Sequence, residues 1–177
     1  MKERKLKNYL KYIIIDILIA AGISIFLITY VASAYQIEGN SMETVLSNHE
    51  RVIISKWRVN NNIHRYDIVV LHKPDEPQKS IIKRVIGLPG EIVEIREGEV
   101  YINGSKLPEP YLPEEKDIMF RSLQMKPLLI HGGHYFVMGD NRTISQDSRV
   151  FGPVSAKTIF GKTIFRYWPF SRFGKVE

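Results

Sequence analysis

Three short segments carry the residue types from which a reaction could be built. The first is Gly39-Asn-Ser-Met-Glu-Thr-Val-Leu46, where Ser41 follows a short β-like run. The second, Ser80-Ile-Ile-Lys-Arg-Val-Ile-Gly-Leu-Pro-Gly-Glu91, sets Lys83 in an apolar strand pattern. Alternate strand residues share a face, so Lys83 stands beside Ile81 and Val85. Desolvation there disfavours the ammonium and lowers its pKa, which is what a lysine general base needs near neutral pH. The third, Gly139-Asp-Asn-Arg-Thr-Ile-Ser-Gln-Asp-Ser-Arg-Val-Phe-Gly-Pro153, concentrates Asp, Asn, Ser and Arg directly after an apolar strand. Such groups can hydrogen-bond one another and hold a site rigid. Taken singly, the three segments read more readily as a turn leaving a strand, a lysine snorkelling from a sheet edge, and a polar loop.

Other chemistries find less material. The chain has no cysteine, which removes disulfides, thiol nucleophiles and zinc ribbons. His131-Gly-Gly-His134 has a ligand-like spacing but lies on a glycine loop without a nearby third ligand, so it reads as a turn and not a metal site. No phosphate-binding glycine loop of the Walker or dinucleotide kind is present. The sequence therefore calls for no metal and no cofactor.

The elements that must position these segments are mostly strands. Runs of β-branched residues bounded by turn signals fall at Tyr35–Glu38, Arg51–Ser55, Asp67–Leu71, Ser80–Ile86, Glu91–Arg96, Glu99–Ile102, Tyr135–Met138 and Lys157–Tyr167. Glu97-Gly98 and Asn103-Gly104 predict tight hairpins. Pro74–Pro77 and Leu107–Pro113 read as loops, and 105–130 as a small insertion or cap over the main sheet. The expected fold class is mainly β, an antiparallel coiled sheet or barrel-like domain with that inserted cap. One N-terminal transmembrane helix precedes it.

That helix comes from an uneven distribution of charge. The 177 residues carry 25 Lys+Arg against 19 Asp+Glu, a net +6, and a mean hydropathy of −0.14 that suggests a soluble protein. Residues 1–11, however, hold Lys2, Arg4, Lys5, Lys7 and Lys11 against Glu3, and 12–34 hold no Lys or Arg and the single acid Asp16. About 20 apolar residues span a hydrocarbon core of roughly 30 Å. The basic flank predicts a cytoplasmic tail over 1–11, a membrane anchor over 12–34 and an extracytoplasmic domain over 35–177. A cleavable secretory signal shares the basic start, and Ala32-Ser33-Ala34 has the form of a cleavage site, but the apolar run exceeds the roughly 7–15 residues of such a signal. The excess charge thus marks orientation at a lipid bilayer. With no basic helix and no aromatic-basic interleaving, nucleic acid is not an expected partner.

Together the segments resemble the bacterial type I signal peptidases, serine proteases with a Ser-Lys dyad, of the single-anchor form. The likeness runs through the basic start, the anchor, the Ser41-Met42 segment, Arg65-Tyr-Asp-Ile-Val-Val-Leu71, Lys83 to Glu91, and Gly139 to Arg149, in that order. It implies Ser41 as nucleophile and neutral Lys83 as the base that takes its proton. Ser145 matches the serine that orients the lysine; Arg84 and Asp140 match a structural ion pair, and Asp147 and Arg149 a second bracing set. Gly39 matches a position at the oxyanion hole; lacking a hydroxyl, it leaves the work to backbone N–H groups, chiefly that of Ser41. Tyr35, Ile37, Met42 and Ile82 fall where the family binds the small residues before the scissile bond, and Tyr35 and Ile37 share a strand face.

The implied activity is removal of signal peptides from exported preproteins after Ala-x-Ala-type sites, beside the translocation machinery. One departure stands out. Where the family usually reads Ser-Met-x-Pro-Thr-Leu, Met42 is followed here by Glu43-Thr44-Val45-Leu46. Thr143-Ile144 also differ from the commonest form. The loss of a fixed φ after the nucleophile is the support for a second expectation, a weak or inactive relative serving as an assembly module at the membrane. Ala32-Ser33-Ala34, within reach of Ser41, also predicts self-cleavage after Ala34.

Overall fold

The computed structural model describes residues 2–57, 59, 63–113 and 122–176, with side chains from Tyr9 onward. Helix α1 spans Lys2–Phe26 and continues through a wider helical turn at Leu27–Val31. Tyr9–Val31 has a mean hydropathy of 2.4 and none of its window is buried against the rest of the chain. Such a length, about 34 Å at 1.5 Å per residue, is enough to cross a bilayer.

The helix does not end in a linker. Strand β1 (Ala32–Gln36) begins at once, inside the stretch expected to be anchor, and pairs antiparallel with β2 (Arg51–Ser55), Ala32 opposite Ser55 and Gln36 opposite Arg51. The Lys56 backbone N–H donates to the Val31 carbonyl at 2.8 Å, and Lys56 Nζ reaches the Ile28 carbonyl at 3.4 Å. Ala32-Ser33-Ala34 is therefore paired strand, and cutting after Ala34 requires β1 to leave β2.

The remaining strands are β3 (Ile68–Lys73), β4 (Glu76–Gly87), β5 (Ile92–Arg96), β6 (Glu99–Ile102), β7 (Ser105–Lys106), β8 (Met125–Leu129), β9 (His134–Met138), β10 (Val154–Ser155), β11 (Ile159–Trp168) and β12 (Gly174–Lys175). The larger sheet runs β1-β2-β11-β3-β4-β9-β10, with β12 on β11; the smaller runs β7-β6-β5-β8. Every pairing is antiparallel.

Both predicted hairpins form, with Glu97, Gly98, Asn103 and Gly104 all at positive φ as such turns demand. Two expectations change. Pro74–Pro77 is a turn only at Pro74-Asp75: Glu76 and Pro77 already belong to β4, where Glu76 pairs with Lys73 of β3. The stretch 105–130 is no mere cap, since β7 and β8 complete the second sheet; its residues 114–121 lie outside the described residues.

Strand β4 is where the core converges. From Ile82 to Gly87 it is buried on both faces. Ile82 packs with Ile37, Met42, Leu46 and Val70; Val85 with Val69, Leu71 and Val137; Ile86 with Val93, Phe136 and Met138. Each such side chain contributes about 1.5–3 kcal/mol by leaving water. Lys83 sits in this most enclosed strand.

Candidate active site

Three elements meet around one contact. Ser41 lies on the loop between β1 and β2, Lys83 in the middle of β4, and Asp140–Arg149 on the loop after β9. Lys83 Nζ donates to Ser41 Oγ at 2.7 Å across 42 residues of sequence. Lys83 is 3% exposed, and burial pulls its ammonium down to about 8; Asp147 and Asp140 oppose that pull, while Arg149 adds to it. A lysine so tuned is neutral in a minor but far larger fraction near physiological pH than an ordinary one, and that fraction can take a proton from a hydroxyl it already touches.

The polar loop holds this geometry from below. Arg84 Nε and Nη2 donate to Asp140 Oδ1 and Oδ2 at 2.9 and 2.7 Å, both side chains essentially fully buried. Arg84 also donates to the Tyr66 carbonyl and stacks 4.0 Å over the Tyr111 ring. Asp147 accepts from Arg149 Nε at 2.7 Å and from the Gly139 N–H at 3.0 Å, and caps the short helix α2 (Ser148–Phe151). Arg149 in turn donates to the carbonyls of Arg142 and Ser145. The Asn141 N–H donates to the Ser41 carbonyl at 3.0 Å, so the loop grips the serine's own backbone.

Ser145 lies against Gly139 at the site, and its buried hydroxyl makes no hydrogen bond among the described residues, to Lys83 or any other group. Gly139 itself is sterically required: a Cβ there would collide with Ser145 Oγ and the Ser41 carbonyl. Gly39, at φ +85, donates its N–H to Asn48 Oδ1 at 3.0 Å. The Ser41 N–H meets no acceptor among the described residues, which leaves it able to face a developing oxyanion.

Thr44 has φ +116. A β-branched residue there stores about 1–3 kcal/mol of strain. Proline, locked near −65°, cannot adopt this conformation. The altered segment after Met42 thus comes with its own backbone path.

Tyr35, Ile37, Met42 and Ile82 do gather, in one apolar cluster with Val70. Beside it a groove of about 470 Å³ runs between Ala34, Tyr35, Gln36 and Glu38 on one side and Gln78, Lys79, Ser80 and Ile81 on the other. Of the expected pocket residues only Tyr35 faces it; Ile37 and Met42 are fully buried.

Several supports had no counterpart in the sequence reading. Arg142 forms a buried ion pair with Glu109, bonds Tyr111 Oη at 3.1 Å and donates through Nε to the Gly139 carbonyl at 3.0 Å. Burial and the nearby Glu109 carboxylate push the Tyr111 hydroxyl well above its ordinary pKa. Arg65 donates to both Glu91 oxygens and to the Ile86 carbonyl, stapling the turn that follows β4. That pair joins two of the motifs noted above, though nothing local announces it.

Residues 7–168 match the family described as signal peptidase, peptidase S26. The chain is 36% identical over 174 residues to signal peptidase IB of Staphylococcus aureus, covering 90% of each. It is also 36% identical over 183 residues to signal peptidase I of Bacillus licheniformis, covering 99% of this chain and 96% of that one. The crystal structure of a signal peptidase I from Enterococcus faecalis superposes with a TM-score of 0.52 at 35% identity, covering 57% of this chain and 96% of that chain. A β-rich hydrolase of peptide bonds with an apolar N-terminal helix is the class that these likenesses define, and the chain belongs to the peptidase S26 family of signal peptidases. With its helix it is a membrane-anchored protein.

Proposed function

We propose that this chain removes signal peptides from exported preproteins, with Ser41 as nucleophile and Lys83 as general base. The observation that carries the reading is the 2.7 Å contact between Ser41 Oγ and a buried Lys83 Nζ. Neutral Lys83 takes the hydroxyl proton as Oγ attacks the carbonyl of the last small residue. The tetrahedral oxyanion is met by the Ser41 N–H and neighbouring backbone. Collapse breaks the C–N bond, the lysine returns its proton to the leaving amine, and water releases the acyl-enzyme by the same route in reverse.

The groove gives the substrate a place. Among the described residues, β1 on one side pairs only with β2 and the first half of β4 on the other only with β3, so both present free edges to an extended peptide. The basic residues in the first turns of α1 set the N-terminus in the cytoplasm and the β domain outside, near the translocation machinery. A non-catalytic assembly module, the second expectation from the sequence, would leave the costly burial of Lys83 without a use.

Full-length protein in detergent should cleave a preprotein between its signal and mature parts. Ser41→Ala and Lys83→Ala should each lose that activity. Cleavage by either variant at the wild-type rate would refute the assignment.

A further inference from the structure

Behind the nucleophile loop lies a charged cluster that the chemistry above does not use. Glu50 is 4% exposed, and two arginines from the far end of the chain close on it. Arg166 Nη1 donates to Glu50 Oε2 at 3.1 Å and Arg172 Nη1 to Glu50 Oε1 at 2.6 Å. The same two side chains converge on one backbone atom, the Val45 carbonyl, at 2.8 Å from Arg166 Nη1 and 3.1 Å from Arg172 Nη2. Arg172 also reaches Ser47 Oγ at 3.1 Å, and Arg166 Nε donates to the Arg172 carbonyl at 2.6 Å. The arginines thus fix each other as well as the loop.

Elsewhere the loop is held at Ser41, whose carbonyl accepts from the Asn141 N–H, at Gly39, whose N–H donates to Asn48, and at its two ends. Ile37 and Glu50 close its base through backbone bonds, and Met42 and Leu46 are buried pegs. Between the pegs, Glu43 and Thr44 are exposed, and Thr44 carries φ +116. A strained residue relaxes unless its neighbours over-determine it. Relaxation here would turn the peptide whose N–H, on Val45, bonds the Met42 carbonyl, one residue from Ser41. Val45 is the point at which the arginines oppose that movement.

Resting on the reading of Ser41 as nucleophile, we propose that Arg166 and Arg172, joined through Glu50, are positioning residues for Ser41. They hold the Thr44–Val45 turn in the strained form that presents the hydroxyl to Lys83. The C-terminal segment is in this sense part of the nucleophile's mounting, although it contributes no atom to the reaction.

The test uses full-length protein in detergent and a fluorogenic signal-peptide substrate, with melting curves to select a temperature at which every variant is folded. If wild type does not cleave, or Ser41→Ala cleaves equally, the nucleophile assignment fails and this inference falls with it. Given an active wild type and an inactive Ser41→Ala, folded Arg172→Gln should lose about tenfold or more in kcat with KM within about twofold. Arg172→Lys, which keeps the charge but not the two-pronged donor, is the milder second variant and should lose kcat in the same sense. Adding Thr44→Gly, which relieves the strained φ, should shrink the Arg172→Gln loss to about threefold or less, a coupling that a general loss of stability does not produce. Unchanged kcat in both folded Arg172 variants, a loss confined to KM, or an equal loss with and without Thr44→Gly would overturn the proposal.

Discussion

Lys83 is a cation placed where water scarcely reaches it, and its burial favours the neutral form. Because its pKa falls from 10.5 to about 8, kcat/KM should rise with pH through an apparent pKa near 8 and level off above it. A pH profile on a soluble peptide substrate reads this directly. The same shift sets a stability trade. The folded state releases its proton first, so between about 8 and 10.5 the unfolded chain holds more protons and stability rises with pH. Below that window the penalty is complete, on the order of 3 kcal/mol. Lys83→Met should therefore be inactive yet more stable at pH 7 by up to that amount, and the gain should shrink at pH 10; paired urea titrations measure it. Thr44 offers a second test at this scale. Restoring the commoner family residue with Thr44→Pro should lower kcat more than Thr44→Gly does, because a proline cannot reach φ +116. Steady-state kinetics on the two variants decide it.

At the level of elements, the site is a meeting of one strand and two loops, and its tightest tolerance is at Gly139. Gly139→Ala should drive the Ser41 carbonyl and Ser145 apart and cost about tenfold or more in kcat. Reaction of Ser41 with a serine-directed acylating probe should slow in parallel. The strands around this point were largely readable in advance. Alternating β-branched residues and the Glu97-Gly98 and Asn103-Gly104 dipeptides are local signals, and they placed β2, β3, β5, β6 and β9 within a residue or two. What stayed hidden was either weakly patterned or remote. Strand β7 is two polar residues, and β8 carries Lys126 and Pro127, tolerable only because it is an edge strand. Ser41 and Lys83 stood out because each has a characteristic neighbourhood. Glu109–Arg142 and Glu50–Arg166 pair across 33 and 116 residues, and no local pattern foretells which buried charges will meet.

For the molecule as a whole, the join between helix and sheet has the widest reach. The turn Leu27–Val31 passes straight into β1, and Lys56 ties the neighbouring strand's end to the carbonyls of Ile28 and Val31. Inserting Gly-Ser-Gly after Val31 would decouple the two. The insertion should leave cleavage of a short soluble peptide intact and slow cleavage of a preprotein embedded in vesicles, and parallel assays on the two substrates measure the difference. An equal effect on both would mean that the join has no such role. Nucleophile and anchor are then two jaws of a caliper, one seated in lipid and the other set at a fixed height above it. On that expectation, a peptide bond's altitude over the bilayer counts toward its cleavage alongside its side chains.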